Sequence, residues 1–542
     1  MGITVNLVTY LIGTMHLPSS TSSKIVSNFV GTALLLCLLG GIIADSFLGK
    51  YWTIVTFSII NALGVGALAL STGLRQLRPP PCDATLPDKC EQASAFQMGI
   101  LYIALYATAL GIGGIKSSVS GFGSEQFDDK DEKEKSQKTY FFNRIYFLIN
   151  IGTLLAVTVL VYVQDNVGRC WAYGICSLST CIMAVAFLSG TKRYRYQKCL
   201  GSPIIHILQN VVAAVRKRSL KFPSSSDLLF EDAPVGSRIG RTAQFRCLDK
   251  AAILVEEDHK TNESTSTPNP WRLCSVTRIE ETKMVIRLLP IWATTIMYWT
   301  VHAQMLTFSV SQASSMDRSI NKFLIPSGSF TGFFIATIMI TISINDRVIM
   351  PLWMKWKGKQ GFTNLQNIGV GLVFSILGMT VASLCERKRM AVAKSVEGTI
   401  TTTLPISAFL LLPQFIIVGT GEGFMYSGQL NFFITQSPKG MKAMSTGLFQ
   451  STISFGYFVS SMLISLVKRV TGGRDGHGWL TDHINNGRLD LFYALLAVLS
   501  LINFGAYLLC ASWYKPSTSE VDVALKDVVV VTGATGSDKN KE

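Results

Sequence analysis

The clearest candidate for a functional side chain in this sequence is a histidine inside an apolar stretch. The stretch from Lys283 to Val310, KMVIRLLPIWATTIMYWTVHAQMLTFSV, is long enough to cross a bilayer, and it carries His302 with Gln304 two residues later. An ionisable side chain at that depth is costly, which favours a ligand or proton site. The alternative is a structural histidine near a helix end that donates to a backbone carbonyl, and hydropathy alone leaves both open.

Two further ionisable side chains lie in apolar stretches that echo one another. Lys116 stands in LGIGGIKSSVSGFGSEQF and Glu422 in VGTGEGFMYSGQLNFF, each after glycines and before a break of small residues. Opposite charges that face one cavity across a pseudo-twofold axis are typical of the midplane of a proton-coupled carrier. A structural salt bridge between two halves is the alternative. A pair that forms in one state and breaks in another would serve as a gate.

The elements that position these groups are predicted to be membrane-spanning helices. Of the 542 residues, 48% are hydrophobic and only 15% are charged. Apolar runs of about 20 residues, enough to span the hydrocarbon core as a helix, recur along most of the chain. We predict an all-α membrane protein of twelve helices in two bundles of six, with the short run 3–13 as the first helix. The other spans are expected at about 26–46, 51–73, 97–118, 139–164, 169–189, 283–312, 327–345, 365–385, 404–425, 441–469 and 488–513.

The domain organisation follows from the distribution of charge. The formal charge of +15 could suggest nucleic acid, but Lys and Arg lie between the apolar runs and not on a soluble domain, so no nucleic-acid partner is expected. The basic central loop, with TKRYRYQK at 191–198, is expected to be cytoplasmic, as are both termini. At 202–218 the loop has the pattern of an amphipathic helix on the inner leaflet. The predicted regions are an N-terminal bundle (1–190), the central loop (191–282), a C-terminal bundle (283–514) and a tail (515–542).

A motif in the inner turn after the second helix recurs in the second half. The copy in the first half contains Asp45, Gly49 and Lys50. The copy in the second half contains Asp346 and Arg347. An acid and a base in a short inner turn can hold neighbouring helices together through charge and helix-end contacts. A solvated ion pair is the alternative for either copy, and the recurrence argues against it.

The 11 cysteines lack the spacing of metal ligands, so no metal site is expected. Cys82 and Cys90 share one polar loop, and a disulfide between them is plausible if that loop faces outside; unpaired thiols are the alternative. The sequence has no nucleophile–base pair, metal cluster or phosphate loop. We therefore expect neither an enzyme nor a cofactor.

Three motifs carry a resemblance to a known family. Gly40-Gly41 with the 44–50 turn, FFNRIYFLINIG (141–152) and GTGEGFMYSGQLNFF (419–433) resemble the proton-coupled oligopeptide transporter family of the major facilitator superfamily, whose plant branch is the nitrate and peptide transporter family. TVHAQMLTFSVSQASSMDRSI (300–320), with the segments at 6–17 and 165–175, is similar to the dual-affinity nitrate transporter subfamily. The resemblance runs from the first residue to about Tyr514 and implies the major facilitator fold.

The resemblance also implies roles for single residues. His302 would be the nitrate-binding histidine of the seventh helix, with Val5 and Val30 as apolar walls of its pocket. Lys116 and Glu422 would match the coupling lysine and the glutamate of the tenth helix.

Thr53 falls where the dual-affinity transporter is phosphorylated by a calcineurin-B-like-interacting kinase. A phosphate there would add charge at the start of the third helix and loosen the packing of the first half. A buried threonine without a regulatory role is the alternative.

This sequence departs from the family pattern in two places. Leu306 lies one turn after His302, where the best-known relative has a hydroxyl residue, which suggests weaker nitrate binding or another anion. The family's Glu-x-x-Glu-Arg motif normally precedes the segment that begins here at Met1, and we therefore expect a first helix truncated at its N-terminus. Two explanations stand: a sequence that lacks its start, or a short form that is uncoupled or inactive. Lys116 would then have only Glu422 and water as partners.

The function expected from these observations is proton-coupled nitrate uptake by alternating access, as part of nitrate assimilation in a plant. The alternatives are a carrier of chloride, a peptide or an organic anion such as a hormone, and a nitrate-sensing receptor with weak or absent transport. The expected partners are nitrate, protons, the lipid bilayer and a regulatory kinase, with the chain a monomer or weak homodimer. The plasma membrane is the expected location, and the vacuolar membrane is the alternative.

Overall fold

The described part of the chain folds mainly into α-helices, as the computed structural model shows. The structure describes residues 2–80, 91–127, 134, 148–149, 151–195, 203–222, 229–232, 239–255, 269–321, 323–357, 363–395, 403–438, 442–472, 478–481 and 484–515. Cys82, Cys90 and most of the run 141–152 lie outside these residues, so the predicted disulfide stays a prediction.

The helices are long because apolar residues fill them. In the first half they are α1 (Gly2–Gly13), α2 (Ser19–Ile43), α3 (Gly49–Gly73), α4 (Ala95–Glu125), α5 (Ile151–Asn166) and α6 (Arg169–Ser189). The central segment contributes α7 (Pro203–Arg216). In the second half they are α8 (Val276–Ser314), α9 (Thr331–Ile344), α10 (Met350–Lys357), α11 (Asn364–Ser395), α12 (Leu412–Thr435), α13 (Lys442–Thr471) and α14 (Leu489–Trp513). This architecture confirms the all-α prediction.

The helices form two bundles that meet along α2 and α13. In the first bundle α3 packs against α4 and α6, and in the second α11 packs against α12 and α14 while α8 packs against α13. Ser454 of α13 donates to the Gly31 carbonyl of α2 at 2.6 Å, and the Phe458 ring covers Gly31. The two halves therefore share one long interface that contains polar contacts.

Glycines bring helices close together where the sequence predicted thin helices. A Cβ at Gly113 of α4 would lie 2.7 Å from the Leu36 Cβ of α2, and one at Gly421 of α12 would lie 2.8 Å from the Phe374 Cβ of α11. Such distances exclude any larger residue without a shift of the backbone. Both halves thus use glycine to let two helices approach closely.

The recurrent inner turn has the same local structure in both halves. Ala44–Leu48 and Asn345–Ile349 are π-helical turns, which join α2 to α3 and α9 to α10. Gly49 follows the first turn with φ at +75°, a conformation that favours glycine. The repeat read from the sequence is therefore also a repeat of backbone geometry.

The central segment is attached to the second half by buried charges. Lys283, fully buried in the second turn of α8, lies 2.5 Å from Asp249 and 2.7 Å from Glu280. The Phe245 ring meets Trp513 at the end of α14, with centroids 6.2 Å apart. The segment is thus held against α8 and α14.

Helix α7 is amphipathic, as the spacing of its apolar residues predicts. Asn210 is buried and donates to Thr282 Oγ1 of α8 at 2.6 Å. Leu208, Val211 and Val215 are exposed on the other side. An apolar side directed away from the protein fits the predicted place on the inner leaflet.

The opposite end of the bundle, which we call the far end, is closed by contacts between the halves. Ser19 and Ser311 lie 3.1 Å apart, and the Lys468 ammonium donates to Ser20 at 3.2 Å. Short strands also lie at this end: β1 (Met316–Asp317) pairs in parallel with β4 (Leu404–Ser407), and β2 (Ser319–Ile320) pairs with β3 (Phe323–Leu324) in an antiparallel hairpin.

A buried ion pair braces the far end within the second half. The Arg389 guanidinium and the Glu386 carboxylate of α11 form two parallel hydrogen bonds of 2.7 and 2.8 Å. Gln312 of α8 donates to the same carboxylate at 2.5 Å, and Arg389 also donates to Asn485 and Ser315. Both charges are fully buried, so these bonds replace the lost water.

Candidate substrate and proton site

Helix α8 places His302 among aromatic rings at the middle of the bundle. The residue as a whole is 4% exposed. Its ring centroid lies 5.3 Å from that of Trp299, 5.6 Å from that of Phe334 and 6.1 Å from that of Tyr457. An imidazole enclosed by aromatic rings has few polar neighbours.

The acidic neighbour of His302 is Glu422. Glu422 Oε2 lies 3.1 Å from His302 Nε2, and the two side chains are 14% and 6% exposed. Neither atom has a partner with hydrogen-bond geometry among the described residues. The other ring nitrogen, Nδ1, lies 3.4 Å from the Tyr457 hydroxyl. The pair is thus close enough to share charge but loosely held.

The two predicted pocket walls belong to, or pack on, apolar clusters of the bundle. Val5 of α1 is 1% exposed and belongs to a cluster with Val301 and Phe334. Val30 of α2 packs both on the core of the first bundle and on the cluster that contains Trp299 and Tyr457. The aromatic neighbours of His302 therefore belong to the clusters that Val5 and Val30 contact.

Lys116 is not brought to Glu422. Its side chain is exposed on α4, within electrostatic range of Cys37, and it makes no ion pair or hydrogen bond within the part of the chain that the structure describes. The acid of the predicted pair meets His302 instead. The expectation that Glu422 is a partner of Lys116 therefore does not hold in this conformation.

The side chains of Lys50 and Arg347 in the inner turns belong to the described part of the chain. The Lys50 stem covers Gly121 of α4, and Arg347 is exposed. The side chains of Asp45 and Asp346 lie outside the described part of the chain. Their gating role stays a prediction.

Thr53 is fully buried, and its hydroxyl donates to the Gly49 carbonyl at 2.9 Å. A kinase cannot reach a hydroxyl in that position, so phosphorylation would require the start of α3 to open.

Sequence reasoning missed the aromatic and amide groups around the histidine. Trp299 donates to Gln429 Oε1 at 3.0 Å, and Gln429 donates to Thr295 at 2.9 Å, which fixes the indole ring. Trp299 is one turn before His302, so its position was readable from helical spacing. Tyr457 comes from α13, and nothing in a single sequence indicates that α13 faces this part of α8.

Comparison with known proteins places the chain in a family. The PTR2 model, described as the POT family, matches residues 51–480. The chain belongs to the POT family. It is 61% identical over 524 residues to Protein NRT1/ PTR FAMILY 6.2 of Arabidopsis thaliana, covering 96% of this chain and 90% of that protein. It is 48% identical over 540 residues to Protein NRT1/ PTR FAMILY 6.3 of the same plant, covering 97% and 90%.

The fold agrees with that of solved POT family transporters. One of them, the POT family transporter PepTSo, superposes with a TM-score of 0.67 at 20% identity and covers 95% of each chain. At that identity the likeness supports the fold alone. This POT family chain is thus a multi-pass, proton-coupled membrane transporter with the major facilitator fold, and it is not an enzyme.

Proposed function

We propose that this transporter is a nitrate–proton symporter in which His302 binds the anion. The observation that carries the proposal is the buried pair of His302 Nε2 and Glu422 Oε2 at 3.1 Å. The pair offers a cation for an oxoanion and a carboxylate for a proton in one place. The similarity to Protein NRT1/ PTR FAMILY 6.3 supports the resemblance to the dual-affinity subfamily.

Charge balance in the buried pair couples the anion to a proton. With the site empty, an imidazolium beside a carboxylate has no net charge. An anion that enters beside His302 leaves the site with one uncompensated negative charge, which burial disfavours. One proton on Glu422 restores neutrality, so the loaded site carries at least one proton for each anion. Release of the anion then releases the proton.

The surroundings of His302 favour a small anion over a peptide. The rings of Trp299, Phe334 and Tyr457 lie within 5.3 to 6.1 Å of the imidazole, centroid to centroid. A peptide would need a wider site with separate charges for its two termini, whereas a planar ion of four atoms needs only one donor group. Chloride has the same charge and similar size, and competition distinguishes it.

The test is uptake of labelled nitrate at acid pH into oocytes that express the full chain or His302→Ala. A charge-assisted hydrogen bond contributes about 1.5–3 kcal/mol, so the variant should take up nitrate with a KM about ten- to hundredfold higher. His206→Ala on α7 is the matched control, and it should behave as the unaltered chain. Equal uptake by His302→Ala and by the unaltered chain would contradict the proposal that His302 binds the anion. An excess of chloride or dipeptides that abolishes nitrate uptake would reassign the cargo.

We also propose Thr53 as a regulatory site of this transporter. A phosphate cannot fit where the Thr53 hydroxyl donates to Gly49, so its addition would hold the start of α3 open. Kinase treatment of the purified protein followed by mass spectrometry of the Thr53 peptide tests this.

A further inference from the structure

One face of α2 directs a row of hydroxyl groups at the second half. Ser19, Ser23 and Ser27 follow one another at intervals of four residues, so they share a helix face. At one end of the row Ser19 contacts Ser311 of α8 at 3.1 Å, and beyond the other end Leu34 packs in the apolar cluster of the second half. Ser23 and Ser27 lie between these two contacts and therefore face α8 and α13.

The hydroxyl groups in the middle of this row are buried. Ser23 and Ser27 have no exposed surface, and their Oγ atoms accept and donate no hydrogen bond among the described residues. On α8, Gln304 lies two turns from Ser311 on the same face and is also fully buried. Its amide nitrogen donates to Ser460 of α13 at 2.5 Å, but its Oε1 atom has no partner in the described part of the chain.

These groups lie between the closed far end and His302. At 1.5 Å per residue, Ser27 is about 12 Å below Ser19 and Gln304 is about 10.5 Å below Ser311. His302 is about 3 Å deeper than Gln304 along α8. We call Ser23, Ser27 and Gln304 the polar seam.

A polar seam with three oxygen atoms that lack a partner among the described residues is unexpected if its only role is to seal the far end. Each buried polar atom without a partner disfavours the closed state, and apolar residues of similar size would seal it better. The groups become useful when the far end opens, because hydroxyl groups can then donate to an anion. The Lys468 ammonium, beside Ser20 at the mouth, supplies positive charge there.

We propose that the polar seam is a transient binding site for the small anion on its way from the far end to His302. This inference rests on the proposed function. When the far end is open, Ser23 and Ser27 donate to the anion, and the Gln304 amide nitrogen, which donates to Ser460 in the closed state, can donate to it as well. When the far end closes, the anion has passed to His302 and the seam is buried again.

Transport kinetics measured from both sides test the proposal. Ser23→Ala/Ser27→Ala, in the full chain reconstituted into liposomes, should raise the KM for nitrate presented at the far end about tenfold, as loss of two hydrogen bonds implies. The KM for nitrate presented at the opposite side should change less than about twofold, because the seam is closed when that side is open. Ser22→Ala is the matched control: Ser22 is equally buried and unpartnered among the described residues, but it precedes Val26 and Phe29 on the face that packs in the first bundle.

Cysteine labelling gives a second measurement that does not depend on turnover. A negatively charged methanethiosulfonate added at the far end should modify Ser27→Cys above the background of the unaltered chain, and saturating nitrate should slow the reaction. Ser22→Cys should not react. Equal KM changes from both sides, or equal labelling of the two cysteine variants, would contradict the proposal that the polar seam binds the anion. Absence of nitrate transport by the unaltered chain would instead overturn the proposed function, and the seam with it.

Discussion

Two of the buried ion pairs of the second half differ in how completely their atoms are paired. Around Glu386 and Arg389 each carboxylate oxygen accepts at least one hydrogen bond, and the guanidinium donates to Asn485, Ser315 and the Ile484 carbonyl as well. Around His302 and Glu422 the two facing atoms approach to 3.1 Å without hydrogen-bond alignment. A fully bonded pair fixes one structure, whereas a loosely held pair can exchange a proton or admit a ligand. Burial of charge alone would not have separated these roles.

The largest effect is expected from breaking the fully bonded pair. Arg389→Met leaves the Glu386 carboxylate buried without its cation, which should lower the free energy of unfolding by about 3–5 kcal/mol. Thermal unfolding of the purified protein in detergent measures this. The double variant Glu386→Leu/Arg389→Met is the control and should recover most of the loss, because no buried charge remains. A loss below about 1 kcal/mol in the single variant would remove the contrast between the pairs.

A change in pH dependence, and not in stability, is expected from Glu422→Gln. The neutral amide imitates the protonated carboxyl, so the variant should bind and exchange nitrate at neutral pH. It should lose accumulation driven by a proton gradient, because the amide has no proton to release with the anion. Counterflow and gradient-driven uptake in liposomes measure the two properties separately. Retained gradient-driven accumulation would place the coupled proton elsewhere, with Lys116 the next group to alter.

The smallest effect is expected at Leu306, one turn after His302. Leu306 is 5% exposed and packs in the cluster that contains Trp299. Leu306→Thr would add a hydroxyl group that can bond the His302 carbonyl when the site is empty and turn to the anion when it is loaded. One added hydrogen bond should lower the KM for nitrate about threefold to tenfold. Leu306→Val, which has the same shape as the threonine variant without the hydroxyl, is the control; an equal change in both would attribute the effect to volume.

The fold was largely predictable because each long apolar run in the sequence forms one helix. The ends of the helices were less so. The span predicted to end at residue 385 continues to Ser395, because Glu386 and Arg389 neutralise each other inside the protein. The span predicted to begin at residue 283 begins at Val276, because Lys283 is neutralised by Asp249 and Glu280. A hydropathy profile treats each such charge as if it were exposed to water. Which charges neutralise each other is determined by the tertiary structure.

The individual residues of the candidate site were predictable from the sequence, but the contact between them was not. His302 was indicated by its cost in an apolar helix, and Glu422 by the same reasoning. Their pairing depends on which helices face each other, and symmetry between the halves suggested Lys116 instead. A distance of 3.1 Å between α8 and α12 is a property of packing that no spacing along one chain contains.

Pro290 gives α8 a bending point between its anchored base and its binding residue. The ring removes the hydrogen bond to the Ile286 carbonyl, so the helix is weakest there. Lys283, on one side, is held to the central segment. His302, on the other side, stands at the end of a lever arm of about 18 Å. A bend of about 10° at the proline would move the imidazole by about 3 Å, the length of one hydrogen bond. A small pivot is therefore enough to make or break the contact between His302 and Glu422.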